Sequence, residues 1–396
     1  MARFYSSIWL LALLVLLLFG SCGGNNEYGE IYKVIRKNGK YGYINQNGDI
    51  AIQPQFAYAI EFSEGLGGVN IGGKPRGDDM PIDGKWGFVD RQGRFVINPQ
   101  FYSPEEMGAP YDPTQLARVQ HEGYVFSEGL AAVRLEKEWV FIDTIGQIQI
   151  RNPRIQSARR FEEGLANVYI EGLWGYMDHQ GELVIPPRFL YPIDFRNGMA
   201  VVMDEKGQKV LIDRKGKRHL PQYKLETQFY EGVAVIKAGF KGEPLTEAQK
   251  RMYSLVDTAG RLLFEPQFDR LGRFGSGMCP ALVGSRAGDP LMHPEPVQPT
   301  ESPGGKWGFV NMYGEFVLNP VFEDARGFSE GIAAVKGGGL WGFMDTNGSM
   351  ITGFEFRWVD YFYRGMAVVQ LGPLHNDYDG KFAYVDQDGE VLWITH

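Results

Sequence analysis

The sequence predicts an all-β protein: a tandem array of about nine three-stranded antiparallel meanders in an open or coiled stack, with a propeller-like closed ring as the alternative. Three observations carry this. Residues 84–101 read GKWGFVDRQGRFVINPQF and residues 305–322 read GKWGFVNMYGEFVLNPVF, nearly the same text twice. A glycine three residues after the Asp or Asn that closes the second strand of each copy recurs nine times. The composition, with 52 Gly, 26 Phe and 20 Tyr, suits a folded, turn-dense β protein and not a disordered one.

The chain opens with a processing segment. Arg3 is the only charged residue among the first 21, and Ile8 to Phe19 form an apolar run of twelve. Twelve residues are too few to span a bilayer and fit a signal h-region, so residues 1–21 read as a signal peptide. It ends in Phe19-Gly20-Ser21-Cys22, which resembles the lipobox of bacterial lipoproteins. That resemblance implies a diacylated Cys22 as the mature N-terminus, and a plain secretory signal is the alternative. Residues 22–29 then form a lipidated tether, and 30–396 the repeat array. Cys279 is the only other cysteine, so no internal disulfide is available and packing must hold the core.

The nine turn glycines are Gly48, Gly93, Gly146, Gly181, Gly216, Gly260, Gly314, Gly348 and Gly389. Asn45, Asp90, Asp143, Asp178, Asp213, Asp257, Asn311, Asp345 and Asp386 precede them. The shortest spacings are 34 and 35 residues, and longer ones hold insertions. Within a unit, a short first strand such as GLAAVRL (129–135) leads to a second, KWGFVD (85–90), and a third, RFVINPQF (94–101). Alternation places Trp86, Phe88 and Asp90 on one side of the second strand, with Gly87 and Val89 on the other. The Asp-x-x-Gly step fits a type I turn closed by a left-handed glycine, its carboxylate accepting backbone N–H groups. Pro54, Pro99, Pro187, Pro266 and Pro320 are expected to break the third strands.

A second column marks the connectors: Gly65, Gly129, Gly164, Gly198, Gly232, Gly277, Gly331 and Gly365. Two residues on lies a small side chain (Gly67, Ala131, Ala166, Ala200, Ala234, Cys279, Ala333 or Ala367), so Cys279 reads as a packed small residue and not a reactive thiol.

Trp86-Gly87, Trp174-Gly175, Trp307-Gly308 and Trp341-Gly342, followed by Asp90-x-x-Gly93, Asp178-x-x-Gly181, Asn311-x-x-Gly314 and Asp345-x-x-Gly348, resemble the WG repeat family of bacterial proteins. The match is faint at Val210–Asp213 and Ser254–Asp257. The resemblance implies an all-β binding array in which these residues are structural, and it implies no catalytic residue.

Four insertions between first and second strands, at 71–84, 238–250, 283–305 and 371–380, are expected on one edge. Another, at 102–123, follows a third strand and is expected to project elsewhere; 246–252 could form a helical turn or two. Nothing in the chain supplies an enzyme's constellation: HExxH, GxSxG and CxxC are absent and the six His are scattered. No cofactor or metal is expected; the segment 376–380, NDYDG, lacks the spaced ligands of a calcium loop. With a net charge of −8 and no basic block, nucleic acid is not an expected partner. The expected role is a lipid-anchored protein-interaction scaffold of the bacterial envelope, in the outer membrane and facing periplasm or surface. The alternative is a glycan- or peptidoglycan-binding lipoprotein, with the aromatics of 356–365 stacking on sugars.

Overall fold

A computed structural model describes residues 32–74, 80–103, 123–220, 224–238, 252–284 and 305–395. Cys22, the signal segment, the whole tether and most of the insertions at 102–123, 238–250 and 283–305 lie outside the described residues, as does 246–251 of the helical expectation. The described chain is a succession of antiparallel sheets. In the second unit, Gly67–Ile71, Lys85–Val89 and Phe95–Phe101 are the first, second and third strands. All nine turns take the expected form. Asp90 N–H donates to the Arg94 carbonyl and Gly93 N–H to the Asp90 carbonyl, with Gly93 at φ 75°.

Two features differ from the sequence reading. Most sheets from the second unit onward gain a leading strand, because the chain leaving one unit's third strand goes on to pair with the next unit. Tyr58–Ala59 pairs with Gly67–Ile71, and Leu183–Tyr191 pairs both with Leu173–Met177 behind it and Met199–Asp204 ahead. Nor does proline end the third strand at Pro54, Pro99, Pro187 or Pro320, whereas around Pro266 no third strand forms. Phe95–Phe101 continues through Pro99, and Ile97 faces Phe88 while Phe101 faces Trp86, so two extra residues bulge outward between these pairs. The missing proline N–H falls inside that bulge, where the ladder has no place for it.

Gly87 sits opposite the bulge. A Cβ there would lie 2.6 Å from the Ile97 carbonyl oxygen and 2.8 Å from the Pro99 nitrogen, and Gly42, Gly175 and Gly308 face their own prolines in the same way. The indoles beside these glycines are core: Trp86, Trp174, Trp307 and Trp341 are 0%, 5%, 8% and 3% exposed. Cys279 is fully buried in the small-residue column, and burial pushes its thiol pKa up.

Neighbouring units press turn against strand. A Cβ on Gly93 would meet Ile52 of the preceding unit, one on Gly146 would meet Ile97, and one on Gly348 would meet Leu318. The same contact joins the ends of the array: Gly48 of the first unit lies against Leu392 of the ninth. Tyr43 reaches forward to the Gly68 carbonyl at 3.5 Å, and its ninth-unit counterpart Tyr384 donates to the Val34 carbonyl at 3.0 Å. Arg364 Nη1 also donates to the Phe62 carbonyl at 2.8 Å. Among the described residues no strand of the last sheet pairs with the first, so no barrel closes. The array keeps the strand order of an open stack, and it coils until its last unit touches its first.

Candidate functional site

Strand register sorts the loops onto two edges. Leu130, directly after connector Gly129, pairs with Asp143 of the turn, while Leu135 pairs with Glu138 at the far end. Connectors and Asp-x-x-Gly turns therefore share one edge, and the loops between first and second strands occupy the other. Phe101 faces Trp86, beside the Ile71–Lys85 pair, so the 102–123 insertion leaves from this second edge too. Ser103 anchors its departure point: its Oγ accepts from Trp86 Nε1 at 2.8 Å and donates to the Asp83 carbonyl at 3.3 Å, while the course of 104–122 lies outside the described residues.

The repeated carboxylates serve their own turns. Oδ1 of each Asp or Asn in the column accepts backbone N–H groups two and four residues on, from Asn45 through Asp90, Asp178 and Asn311 to Asp345 and Asp386. Arg94 also bonds Asp90 and holds its carboxyl below the usual range. These oxygens converge on no common point, and no metal-ligating cluster exists among the described residues. Asp379 of the 376–380 segment instead makes a two-pronged ion pair with Arg357, both bonds 2.7 Å long.

A further column escaped the sequence reading. Each connector is a tight turn whose two central residues both have positive φ, as at Glu64 (52°) and Gly65 (81°). The residue before the glycine is often Glu, and its carboxylate clamps the next unit's connector. Glu64 accepts from the N–H groups of Glu128 and Gly129, Glu128 from Gly164, and Glu163 from Asn197 and Gly198. Glu231 holds Ser276 and Gly277, and Glu330 holds Arg364 and Gly365. The signal was present as a recurring Glu-Gly pair. Its bonding partners lie one unit downstream, beyond the reach of local motif reading.

Two groups of side chains stand out, both running from the connector and turn edge toward the insertion edge. The first is the turn and third strand of the seventh unit, where Met312, Tyr313, Phe316, Val317 and Val321 are 39%, 69%, 38%, 50% and 62% exposed. Of these, only Phe316 stacks on a neighbouring ring among the described residues, that of Phe268. The second is a cluster of Arg196, Tyr230, Arg273, Arg326 and Tyr361, whose guanidiniums lie against aromatic rings. Next to it, Asp324 is buried and its carboxyl is pushed up to about 6 by that burial. A folded-state pKa above the ordinary 3.8 means that Asp324 is neutral to folding at low pH and opposes it increasingly as pH rises from about 4 to about 6, with a constant cost above that. Asp324→Asn should therefore match wild type near pH 4 and gain stability across that window, by at most about 3 kcal/mol above pH 7. Urea midpoints at the two pH values measure it, and an equal gain at both would refute the assignment.

Of the aromatics at 356–365, Phe356 and Phe362 are core, and Tyr363 is 53% exposed beneath Lys33. On the insertion edge, residues 373–378 form a short 3-10 helix with Leu374 and Tyr378 exposed.

The family model described as "WG containing repeat" matches seven segments: 41–74, 86–124, 141–174, 174–207, 253–286, 307–341 and 341–372. The faint fifth unit falls between matches, whereas the sixth is matched. No curated protein matches the chain. Among solved structures, apo AztD from Citrobacter koseri is 12% identical, with 92% of this chain and 94% of that one covered at a TM-score of 0.35. BamB from Moraxella catarrhalis is 10% identical, with coverages of 86% and 93% and a TM-score of 0.33. The computationally designed Ika8 protein is 12% identical, with coverages of 68% and 86% and a TM-score of 0.37. All three scores lie below 0.5, too low to carry fold or function across.

Proposed function

This chain belongs to the WG containing repeat family, and from that premise we propose that it is a non-catalytic, lipid-anchored scaffold of the bacterial envelope that docks another protein. The observation that carries the reading is the apolar surface of the seventh unit. Its near-copy in the second unit has Arg91, Gln92 and Gln100 where the seventh has Met312, Tyr313 and Val321. The two copies build the same strands and turn, so the repeat itself does not require those apolar side chains. Leaving them in water gains nothing for folding, and exposed apolar side chains beyond what the repeat requires are a mark of a contact surface. Phe316–Phe322 is also an edge strand, paired on one side by Lys306–Asn311. A partner would meet a mostly apolar patch without help from a basic field.

The lipid on Cys22 would hold this surface at a membrane, with residues 22–29 as the tether. A photo-crosslinking residue at position 317, in cells making the full chain, should capture one defined envelope protein. The triple variant Met312→Arg, Tyr313→Gln, Val321→Gln, which restores the second unit's residues, should lose that capture at least tenfold while its melting temperature holds. Undiminished capture by the triple variant would sink the proposal.

The glycan-binding alternative draws on exposed Tyr363 and Tyr378. Two isolated rings are less than the aromatic platforms that sugars stack on, so the protein-docking reading takes precedence.

A further inference from the structure

The connector edge handles its cations in two ways. On early units carboxylates take part: Lys33 Nζ lies 3.2 Å from Glu61, and Arg160 lies 3.5 Å from Glu162 and 3.7 Å from Asp194. Lys33 also lies over Tyr363, and Arg159, the counterpart of Arg326, already stacks on Trp174 and Tyr191. On the seventh and eighth units the partners are aromatic. The Arg273 guanidinium carbon is 4.2 Å from the centre of the Tyr230 ring and 5.1 Å from that of Tyr361. Arg326 approaches the same Tyr361 ring at 5.9 Å, and Trp341 and Trp358 at 5.2 and 5.4 Å. Among the described residues, neither guanidinium forms an ion pair, and Arg273 Nε is buried without a hydrogen-bond partner.

The backbone explains the arrangement. Connector positions that carry Glu61, Arg160 and Asp194 in other units hold Arg273 in the seventh and Gly327 in the eighth. A Cβ on Gly327 would collide with the Arg273 carbonyl. The eighth unit therefore offers no side chain at this position, and Arg273 reaches past it to Tyr361 of the ninth. Nearby carboxylates are engaged with backbone. Asp324 accepts from Ala325, Asp360 from Tyr361, Glu231 from Ser276 and Gly277, and Glu330 from Arg364 and Gly365.

An arginine keeps its charge at any accessible pH, and stacking on a ring uses the face of the guanidinium while leaving its N–H edge unspent. A half-buried cation of this kind attracts an anion that can accept two parallel N–H bonds. We propose that Arg273 and Arg326, gathered around Tyr361, form a receptor for a phosphate-type oxyanion. The inference is independent of the docking surface on the seventh unit's turn, and either can fail alone.

Inorganic phosphate, titrated into the purified full chain at constant ionic strength and followed by phosphorus NMR, should show saturable exchange broadening. Arg273→Gln and Arg326→Gln should each weaken it at least tenfold. Arg273→Lys should weaken it too, since lysine keeps the charge and cation–ring contact but loses the fork; this variant also guards against simple misfolding, checked by circular dichroism and melting temperature. Acetate should compete poorly. Absence of broadening in wild type, or broadening that persists in the folded double Gln variant, overturns the proposal. Acetate displacing phosphate as well as phosphate displaces itself would overturn the phosphate class.

Discussion

Gly87→Ala is expected to destabilise the protein by about 3 kcal/mol or more, far above the ordinary cost of a methyl group on a strand. The added Cβ would sit 2.6 Å from the Ile97 carbonyl oxygen, 2.8 Å from Pro99 N and 3.0 Å from Asn98 C. All three are backbone atoms, so no rotamer change relieves the clash. The third strand would have to withdraw, and its pairs Phe88–Ile97 and Trp86–Phe101 bracket the collision on both sides. Withdrawal would uncover Trp86 as well. Gly65→Ala is the internal control. Gly65 has φ 81°, and a methyl there would meet nothing within 4 Å, so the change should cost only the left-handed penalty, about 1–2 kcal/mol. Urea denaturation of both variants decides the matter, and a Gly87 variant as mild as the Gly65 one would remove close approach as the reason for the Trp-Gly pair.

Trp86→Ala should cost about 3–5 kcal/mol, the range for emptying a buried indole site. Trp86 is fully buried, with the rings of Tyr124 and Tyr58 at 5.0 and 6.0 Å. Its loss opens a cavity between the second unit's own leading strand and the third unit, and it removes the N–H that Ser103 accepts. Because each unit leans on the next, the damage should spread along the array and lower the cooperativity of unfolding. Trp86→Phe retains most of the apolar volume and forfeits the hydrogen bond, so a loss of about 1–2 kcal/mol is expected. Thermal and urea unfolding of the pair provide the check; equal, small losses would mean that the indole does not join the units.

The sequence disclosed what is local and repeated. Asp90 and Gly93 announce a turn within four residues, and Trp86-Gly87 announces the strand before it. Tyr58–Ala59 stayed hidden because the third strand runs into it with no Gly or Asn between them to punctuate the change of sheet. The Glu64 clamp stayed hidden because its partners, Glu128 and Gly129, belong to another unit. The contact between first and last units was illegible for the same reason in extreme form, since Val34 and Tyr384 share no motif. Of the candidate surfaces, the apolar one lay in plain view. Among the six positions at which the two copies of the eighteen-residue stretch differ, Met312, Tyr313 and Val321 replace polar residues by apolar ones, and exposure gives that difference its meaning. Arg273 against Tyr361 could come only from coordinates, since no spacing rule links them.

The seam between Val34 and Tyr384 differs in kind from the joints inside the array. There the chain itself runs from one unit into the next, and at Leu183–Tyr191 it does so as one continuous strand, so parting those two units means severing a ladder. Here the grip is a clasp: a phenol, a guanidinium and a leucine laid on a glycine. A loop fastened by a clasp opens at the clasp, leaving its links intact, so this molecule has a built-in place to unlatch without unravelling.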